Sequence, residues 1–339
     1  MKKNALIIAF ILIALGIVIT FAVLTMVHFD PQKLNHSQFE ENTYSVEEPF
    51  QNIQINEIAH NITFTFSENG KSEVTCTESE KIKTTVLVEN NTLKIERNDT
   101  RRWYEKIGLF WCYNPKIIVS LPSNEYQNLI IETVSGNITI SESFRFQEVS
   151  LKSTSGNIHY SSIVANKLDV KSTSGKVSLN LQDNLLDSLN VETTSGKITL
   201  SNVKSLNANI HSTSGNVLGN NIQTNNIYIK TTSGNIKVDE MNANISNIKT
   251  TSGKINLNNI NVVEYLEVNS TSGDIFLNSS DALSILIKTV SGDVEASLLT
   301  PKNFITKTTS GKINVPSSDS TQGVCNVTTT SGDINISVL

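Results

Sequence analysis

The string KSTSGK at residues 171–176 contains the residue types of a phosphate-binding or nucleophilic loop. A turn with hydroxyl, glycine and ammonium groups could cradle a phosphate or activate a serine. A P-loop, however, requires G-x-x-x-x-G-K-[ST] before a helix, and here Gly175 and Lys176 are followed by Val177 in a strand-like run. The S-x-x-K spacing is also absent, because Thr173 stands three residues before Lys176. The string therefore predicts neither chemistry.

The same Ser-Gly step recurs along the chain at a nearly constant spacing, which indicates a repeat protein. The repeat glycines are Gly136, Gly156, Gly175, Gly196, Gly215, Gly234, Gly253, Gly273, Gly292, Gly311 and Gly332. Apolar residues alternate before and after each glycine, as do Leu168, Val170, Val177 and Leu179 around Gly175. This period of two predicts two short strands joined by a Ser-Gly bend in each repeat. The predicted fold is all-β, a single-stranded β-helix (β-solenoid) of coils of about 19–20 residues, preceded by an N-terminal transmembrane helix.

Strand parity predicts a structural role for the bend itself. Ser172 and Ser174 are expected to face the core, where their hydroxyls bond to backbone groups of the corner, and Thr173 is expected to face water. Glycine at this position is expected to supply a positive φ or a close backbone approach. At Gly219 a glycine replaces the second apolar residue after the bend, which predicts a local bulge.

The outward positions are the candidate binding residues, because core packing does not dictate them. Six residues that stand four positions before a repeat glycine are lysine, and a threonine ladder runs beside them two positions before the glycine. The candidate binding residues are Lys152, Lys171, Lys230, Lys249, Lys288, Lys307, Thr173, Thr232 and Thr251. We expect the lysines to stack as the adjacent-coil pairs 152/171, 230/249 and 288/307. This stripe fits an anion-binding surface for cell-wall polymers or glycans, and it equally fits lysines that solubilise a flat β wall.

Composition argues against several classes of function. The net charge of −5 argues against a globally basic nucleic-acid binder, so we expect no nucleic acid as a partner. Cys76, Cys112 and Cys325 lack metal-ligand spacing, which predicts no metal and no cofactor, and a Cys76–Cys112 disulfide stays open. Outward acids are scattered and no arginine follows Arg145, so the groups that a polysaccharide-cleaving site needs do not converge.

The N-terminal region predicts a membrane anchor. An uncharged apolar run, residues 5–27, follows Lys2 and Lys3 and is long enough to cross a bilayer, whereas the apolar stretch of a cleaved signal peptide is usually shorter. The two lysines place the N-terminus in the cytoplasm and the C-terminal domain outside the cell membrane. The expected division is a cytoplasmic tail (1–4), a transmembrane anchor (5–27), a linker (28–48), irregular capping coils (49–128) and the repeat β-helix (129–339).

Two segments outside the repeats could take part in contacts. Residues 101–113 hold Trp103, Tyr104, Phe110 and Trp111, which form either a hydrophobic lid over the first coil or an aromatic loop that touches a membrane or a ligand. At the other end the chain stops at Leu339, directly after a strand and with no cap visible. An open last coil of this kind predicts self-association through its edge.

The repeat pattern apolar-x-apolar-x-[ST]-[TV]-S-G-[NDK]-[IV]-x-apolar, after a strand-rich segment ending in IIVSLP, resembles the bacterial TSG-repeat "putative adhesin" family of unknown function. The resemblance covers residues 49–339 and implies a β-helix, right-handed, with no catalytic residues to carry over. That family includes membrane-anchored accessory proteins of envelope-stress regulation. We therefore expect a non-enzymatic protein that binds or scaffolds at the cell envelope, with its partner a wall polymer or an envelope protein. The alternatives are a stress-sensing accessory protein and a polysaccharide-active enzyme.

Overall fold

The computed structural model describes residues 2–26, 39–103, 114–141, 144–181, 185–319 and 321–339. Its one long apolar helix, α1 (Lys2–Met26), has the length and composition of a membrane-spanning segment between Ala9 and Met26. None of that segment is buried inside the protein. The structure thus contains an N-terminal apolar helix that is compatible with the single-pass anchor expected from the sequence.

The rest of the described chain is almost entirely β-structure, joined into one sheet of 24 strands. The strands are β1 (Phe39–Val46), β2 (Asn52–Asn56), β3 (Asn61–Phe66), β4 (Ser72–Ser79), β5 (Ile82–Glu89), β6 (Thr92–Asp99), β7 (Lys116–Leu121), β8 (Glu125–Thr133), β9 (Ile138–Ile140), β10 (Arg145–Ser153), β11 (Ile158–Tyr160), β12 (Ile163–Ser172), β13 (Val177–Asn180), β14 (Leu185–Thr193), β15 (Ile198–Ser212), β16 (Val217–Thr231), β17 (Ile236–Lys249), β18 (Ile255–Asn269), β19 (Ile275–Lys288), β20 (Val294–Leu298), β21 (Asn303–Lys307), β22 (Ile313–Asn314), β23 (Val324–Thr328) and β24 (Ile334–Val338). Parallel pairing between coils makes this a β-solenoid, as the repeats predict.

A central coil such as that of β15 is three-sided. Buried residues alternate with more exposed ones within residues 198–200, 203–205 and 208–212, and the alternation breaks at the corners between them. The first corner uses a left-handed residue, Asn202 with φ 52°, and the same corner repeats in the next coils. The stacked residues there are Asn221, Glu240, Asn259 and Ser279, all with positive φ. Earlier coils have two separate strands, as predicted, whereas β15 to β19 each run on through this corner as one long bent strand.

The coils stack in register, and the apolar positions of the repeat fill one continuous core. Leu168, Leu189 and Ala208, for example, are paired neighbours on successive coils and are all buried. Gly219 stays in register between Leu200 and Val238, so the bulge predicted at this glycine is wrong. The space of the missing side chain is taken by Ile222, whose Cδ1 lies 2.7 Å from where a Cβ would stand.

At the N-terminal end the stacking order departs from the chain order. β2 lies between β6 and β8, and β3 pairs with both β7 and β9. The chain leaves this first coil into antiparallel strands, with β4 paired to β1 and β7, and β5 paired to β6. We call β1 and β4 to β7 the N-terminal cap, because they cover the end of the coil stack.

The C-terminal end is also crossed. β23 pairs with β19 on one side and with β21 on the other, and β24 likewise lies between β20 and β22. The last coil is therefore inserted between two coils that precede it in the sequence. The prediction that the strand before Leu339 forms the open end is wrong, since that strand pairs with β20 along its length and with β22 at Ile334 and Asn335. The strands β21 and β22 form the end of the stack instead.

Candidate functional site

The repeat glycines stack directly on one another at the Ser-Gly corner. A Cβ on Gly234 would lie 2.1 Å from the carbonyl oxygen of Gly215, and the other repeat glycines give 1.8 to 2.2 Å against the residue one layer below. Among the described glycines, positive φ is confined to Gly70 and Gly323. Of the two roles predicted for the repeat glycine, close backbone approach is therefore the one found.

A hydroxyl residue three positions before each repeat glycine completes the corner, and it is buried at every repeat except the half-buried Thr308. Thr231 Oγ1 accepts a hydrogen bond from the Gly234 N–H at 3.1 Å and donates one to the Gly215 carbonyl at 3.3 Å, which links two coils. The serine directly before the glycine does not share this role. Ser174 is exposed, as are its equivalents, so its predicted inward orientation is wrong. The bend interrupts strand parity after Thr173, and the glycine takes the buried position.

An open groove of about 740 Å³ runs along this corner across the first coils of the stack. Two outward columns line it, with the buried hydroxyl column three residues before the glycine between them. We call the column four residues before the glycine the rim and the column two residues before it the floor. The rim residues are Asn56, Glu132, Lys152, Lys171, Glu192 and His211, and the floor residues are Ile58, Val134, Thr154, Thr173, Thr194 and Thr213. We call this the corner groove. Six coil layers at about 4.8 Å make it about 24 Å long.

The lysines of the corner groove are neutralised by carboxylates in the same column. Lys152 Nζ lies 2.6 Å from Glu132 Oε1, and Lys171 Nζ lies 3.2 Å from Glu192 Oε2. Hydrogen bonding to Glu132 raises the pKa of Lys152 above its ordinary value, and the hydrogen bond from Lys171 holds the pKa of Glu192 below its usual range. The predicted stacking of Lys152 on Lys171 is confirmed, but the pair is flanked by an acid on each side.

Beyond the groove the same column becomes positive. Lys230 and Lys249 are paired neighbours, as predicted, and Lys249 lies 3.4 Å from Glu267. Lys288 and Lys307 are not neighbours, because the inserted last coil places Thr328 between them. Lys230, Lys288 and Lys307 are exposed and form no ion pair within the described chain. We call these three residues and Lys249 the lysine wall.

At the cap end the groove stops against a buried polar cluster. His60 Nδ1 is 2.9 Å from Glu57 Oε2, and Arg97 reaches the same oxygen at 4.0 Å. Two buried atoms of this cluster, Glu57 Oε1 and Arg97 Nε, have no hydrogen-bond partner within the described chain. Both residues line the groove. Sequence reasoning missed this cluster, because Glu57 and Arg97 are far apart in the sequence and belong to no repeat. The acids Glu132 and Glu192, in contrast, could have been found from the sequence, because they stand four residues before a repeat glycine, as the lysines do.

The acidic residues that follow some repeat glycines serve the backbone. Asp274 Oδ1 accepts the Asp293 N–H at 3.3 Å, and its Oδ2 lies 3.0 Å from Lys254 Nζ. Asp293 in turn accepts the Asp333 N–H at 2.8 Å. Elsewhere in the stack asparagine fills the same role, as Asn157 does for Lys176. No group of three or more His, Cys, Asp or Glu able to hold a metal occurs among the described residues.

The aromatic segment is described only at its start. Trp103 is 74% exposed, while Tyr104, Phe110, Trp111 and Cys112 lie outside the described residues. Cys76 and Cys325 carry free, buried thiols, and burial raises the pKa of each to about 12. Neither thiol is therefore ionised or exposed for chemistry at neutral pH.

These features define an all-β solenoid with an N-terminal apolar helix and two distinct polar surfaces along one corner. The chain belongs to the Toastrack DUF4097 family, whose model matches residues 50–224 and again residues 179–337. This match confirms the resemblance drawn from the Ser-Gly repeats, that of a β-helix family of unknown function. No curated protein sequence matches the chain.

Several solved structures are similar to this chain at low identity. One is a "putative adhesin" from Parabacteroides merdae ATCC 43184, at 11% identity and TM-score 0.47, covering 77% of this chain and 96% of that chain. A "putative lipid binding protein" from Parabacteroides distasonis ATCC 8503 has 17% identity and TM-score 0.36, covering 88% and 96%. A "putative adhesin" from Bacteroides fragilis NCTC 9343 has 16% identity and TM-score 0.32, covering 88% and 97%. The fold described above rests on the strand pairing and not on these similarities.

Proposed function

We propose that this protein is a membrane-anchored, extracytoplasmic β-solenoid that binds anionic polymers of the cell envelope and has no catalytic role. The observation that supports the proposal is the lysine wall, where Lys230, Lys288 and Lys307 project from one column with no acid paired to them in the described chain. Lys288 and Lys307 are two layers apart and Lys230 lies three layers from Lys288, or about 10 and 14 Å, so together they give this side of the wall a positive potential that attracts a polyanion. A polymer that lies along the stack can meet several of these lysines at once.

The position of the lysine wall suits contact with the envelope. Lys2 and Lys3 before the apolar helix favour a cytoplasmic N-terminus. Residues 27–38 can span at most about 45 Å, so the N-terminal cap is held near the membrane. Lys307 lies at the opposite end of the stack, on the terminal strand β21. The wall would then extend away from the membrane and into the surrounding polymer.

The β domain is a self-contained unit for testing this proposal. Its hydrophobic core runs from Phe50 to Ile336 and includes no residue of α1. A chain that starts at residue 30 therefore retains the whole core and can be studied without detergent.

The test is binding of this soluble chain to a synthetic glycerol phosphate polymer at two salt concentrations. We expect substitution of Lys230, Lys288 and Lys307 by glutamine to weaken the affinity about ten-fold at 50 mM NaCl, and we expect 500 mM NaCl to do the same to the unmodified chain, because salt screens exposed charges. The matched control replaces Lys71, Lys167 and Lys204, which lie outside the column of the lysine wall, and so makes the same change in net charge.

Equal losses in the two triple variants would show that net charge, and not the lysine wall, governs the interaction. Absence of binding to the polymer would contradict the proposal. In that case the accessory role in stress sensing makes the better prediction, namely altered stress-gene expression when the gene is deleted.

A further inference from the structure

We infer that the corner groove is a second binding site, for an uncharged linear glycan. It is separate from the lysine wall and takes a different class of ligand. Four features favour this ligand: the charge balance of the rim, the methyl groups of the floor, the spacing of the coils and the unpaired atoms at the closed end.

The rim offers hydrogen bonds without net charge. Glu132 is paired with Lys152 and Glu192 with Lys171, so the four side chains sum to zero. A polyanion gains little from such a surface, because each lysine already has a carboxylate partner. Each pair still presents free lone pairs on the acid and free N–H groups on the lysine. Sugar hydroxyls, which both donate and accept, can use both kinds of group at once.

The floor column carries no charged side chain and more methyl groups than the rim. Val134 is 46% exposed, and Thr154, Thr173 and Thr194 stand in the same column, so branched side chains with methyl groups line the groove. A pyranose ring has C–H groups on its faces and hydroxyls at its edge. A ring lying in the groove would place its face on the methyl groups and its edge toward the rim.

The spacing of the coils also matches a linear glycan. Successive layers present the same two columns about every 4.8 Å, which is close to the length of one sugar unit in an extended chain. Because the groove crosses six layers, it suits an oligosaccharide of several units better than a single sugar.

The closed end of the groove contains two unpaired polar atoms that a hydroxyl group could satisfy. Glu57 Oε1 is a buried acceptor without a partner, and Arg97 Nε is a buried donor without one, within the described chain. Buried polar atoms are normally satisfied, so such a pair calls for a group that both donates and accepts. A hydroxyl or a water molecule meets this requirement, whereas a phosphodiester or an ionised carboxylate has no proton to donate to Glu57.

The experiment measures binding of linear hexasaccharides to the soluble chain from residue 30. The probes are the hexamers and dimers of β-1,4-linked N-acetylglucosamine and of β-1,4-linked glucose. We expect at least one hexamer to bind about ten-fold more tightly than its dimer, with little change between 50 and 500 mM NaCl. Thr173→Trp and Thr194→Trp fill the floor and should each weaken that binding about ten-fold.

Thr271→Trp is the matched control, since Thr271 is exposed at the same position of a coil outside the groove. Circular dichroism and the melting temperature of each variant establish that it folds. The inference is overturned if no hexamer binds with Kd below about 1 mM, or if Thr271→Trp weakens binding as much as Thr173→Trp. Salt-sensitive binding that depends on Lys230, Lys288 and Lys307 belongs to the lysine wall, so the two proposals can fail separately.

Discussion

At the scale of single residues, the Thr-Thr-Ser-Gly corner divides its tasks among adjacent positions. Thr231 is buried and joins two layers by its hydroxyl, Thr232 is exposed, and Gly234 allows its backbone to touch that of Gly215. Thr231 should therefore matter for the stability of the fold, whereas Thr232 should not. The repetition of the motif reflects the backbone contact that every layer must make.

Replacing Thr231 by valine tests this division. The substitution keeps the shape but leaves the Gly234 N–H and the Gly215 carbonyl without their hydroxyl partner, so we expect a loss of about 1–3 kcal/mol in the free energy of unfolding. Urea denaturation followed by circular dichroism measures it. Thr232→Val is the control and should change stability by less than about 0.5 kcal/mol. Equal effects at the two positions would mean that the buried hydroxyl does not join the layers.

At the scale of elements, β1 is the first strand of the cap after the membrane helix, and one carboxylate adds side-chain hydrogen bonds to its ladder with β4. Glu78 on β4 accepts hydrogen bonds from Asn42 and Tyr44 of β1, each at 2.7 Å, and from the Thr84 N–H at 2.7 Å. Burial alone would raise the pKa of Glu78, but these bonds and the nearby Lys83 outweigh burial and hold that pKa below 4.5. Glu78 therefore remains charged at neutral pH.

The attachment of β1 should consequently weaken in acid. A carboxylate whose pKa is lowered by folding stabilises the fold above its ordinary pKa of about 4.5, and this stabilisation is lost as the pH falls through the lower folded value. Glu78→Gln should reduce the free energy of unfolding at pH 7 by about 1–3 kcal/mol, with the difference shrinking below about pH 4.5. Glu80→Gln, at an exposed carboxylate in the turn between β4 and β5, is the control. A difference that is constant from pH 7 to pH 3 would contradict the role given to Glu78.

The structure of a single coil can be predicted from the sequence, because it depends on residues that are close together in the chain. The alternation around Gly175 gives the strands, their inward faces and the bend, since these depend on residues within one period. The parity of Ser174 could not be obtained this way, because a corner breaks the alternation on which parity depends. The two columns of the corner groove could be predicted from the sequence, since their lysines and threonines repeat. The closed end of the groove could not be predicted, because Glu57 and Arg97 come together only through the pairing of β2 with β6.

At the scale of the whole molecule, both ends of the stack depart from chain order, and both departures change the surface. The crossing at the N-terminal end brings the cap against the first coil and closes the corner groove. The crossing at the C-terminal end separates Lys288 from Lys307 and buries the strand before Leu339 between two others. Repeat spacing cannot reveal either crossing, because coils of equal length and similar pattern fit equally well in either order.

Removing the last coil distinguishes the crossed order from a sequential one. In the crossed order β21 and β22 pair only with β23 and β24 among the described strands, so a chain that ends at residue 321 leaves residues 303–314 without a ladder. We expect the backbone amides of residues 303–314 to lose their protection in hydrogen-exchange mass spectrometry, while those of residues 198–249 keep theirs. In a sequential stack residues 303–314 would still lie on β19 and β20, so retained protection there would contradict the crossed order and restore Lys288 and Lys307 as neighbours.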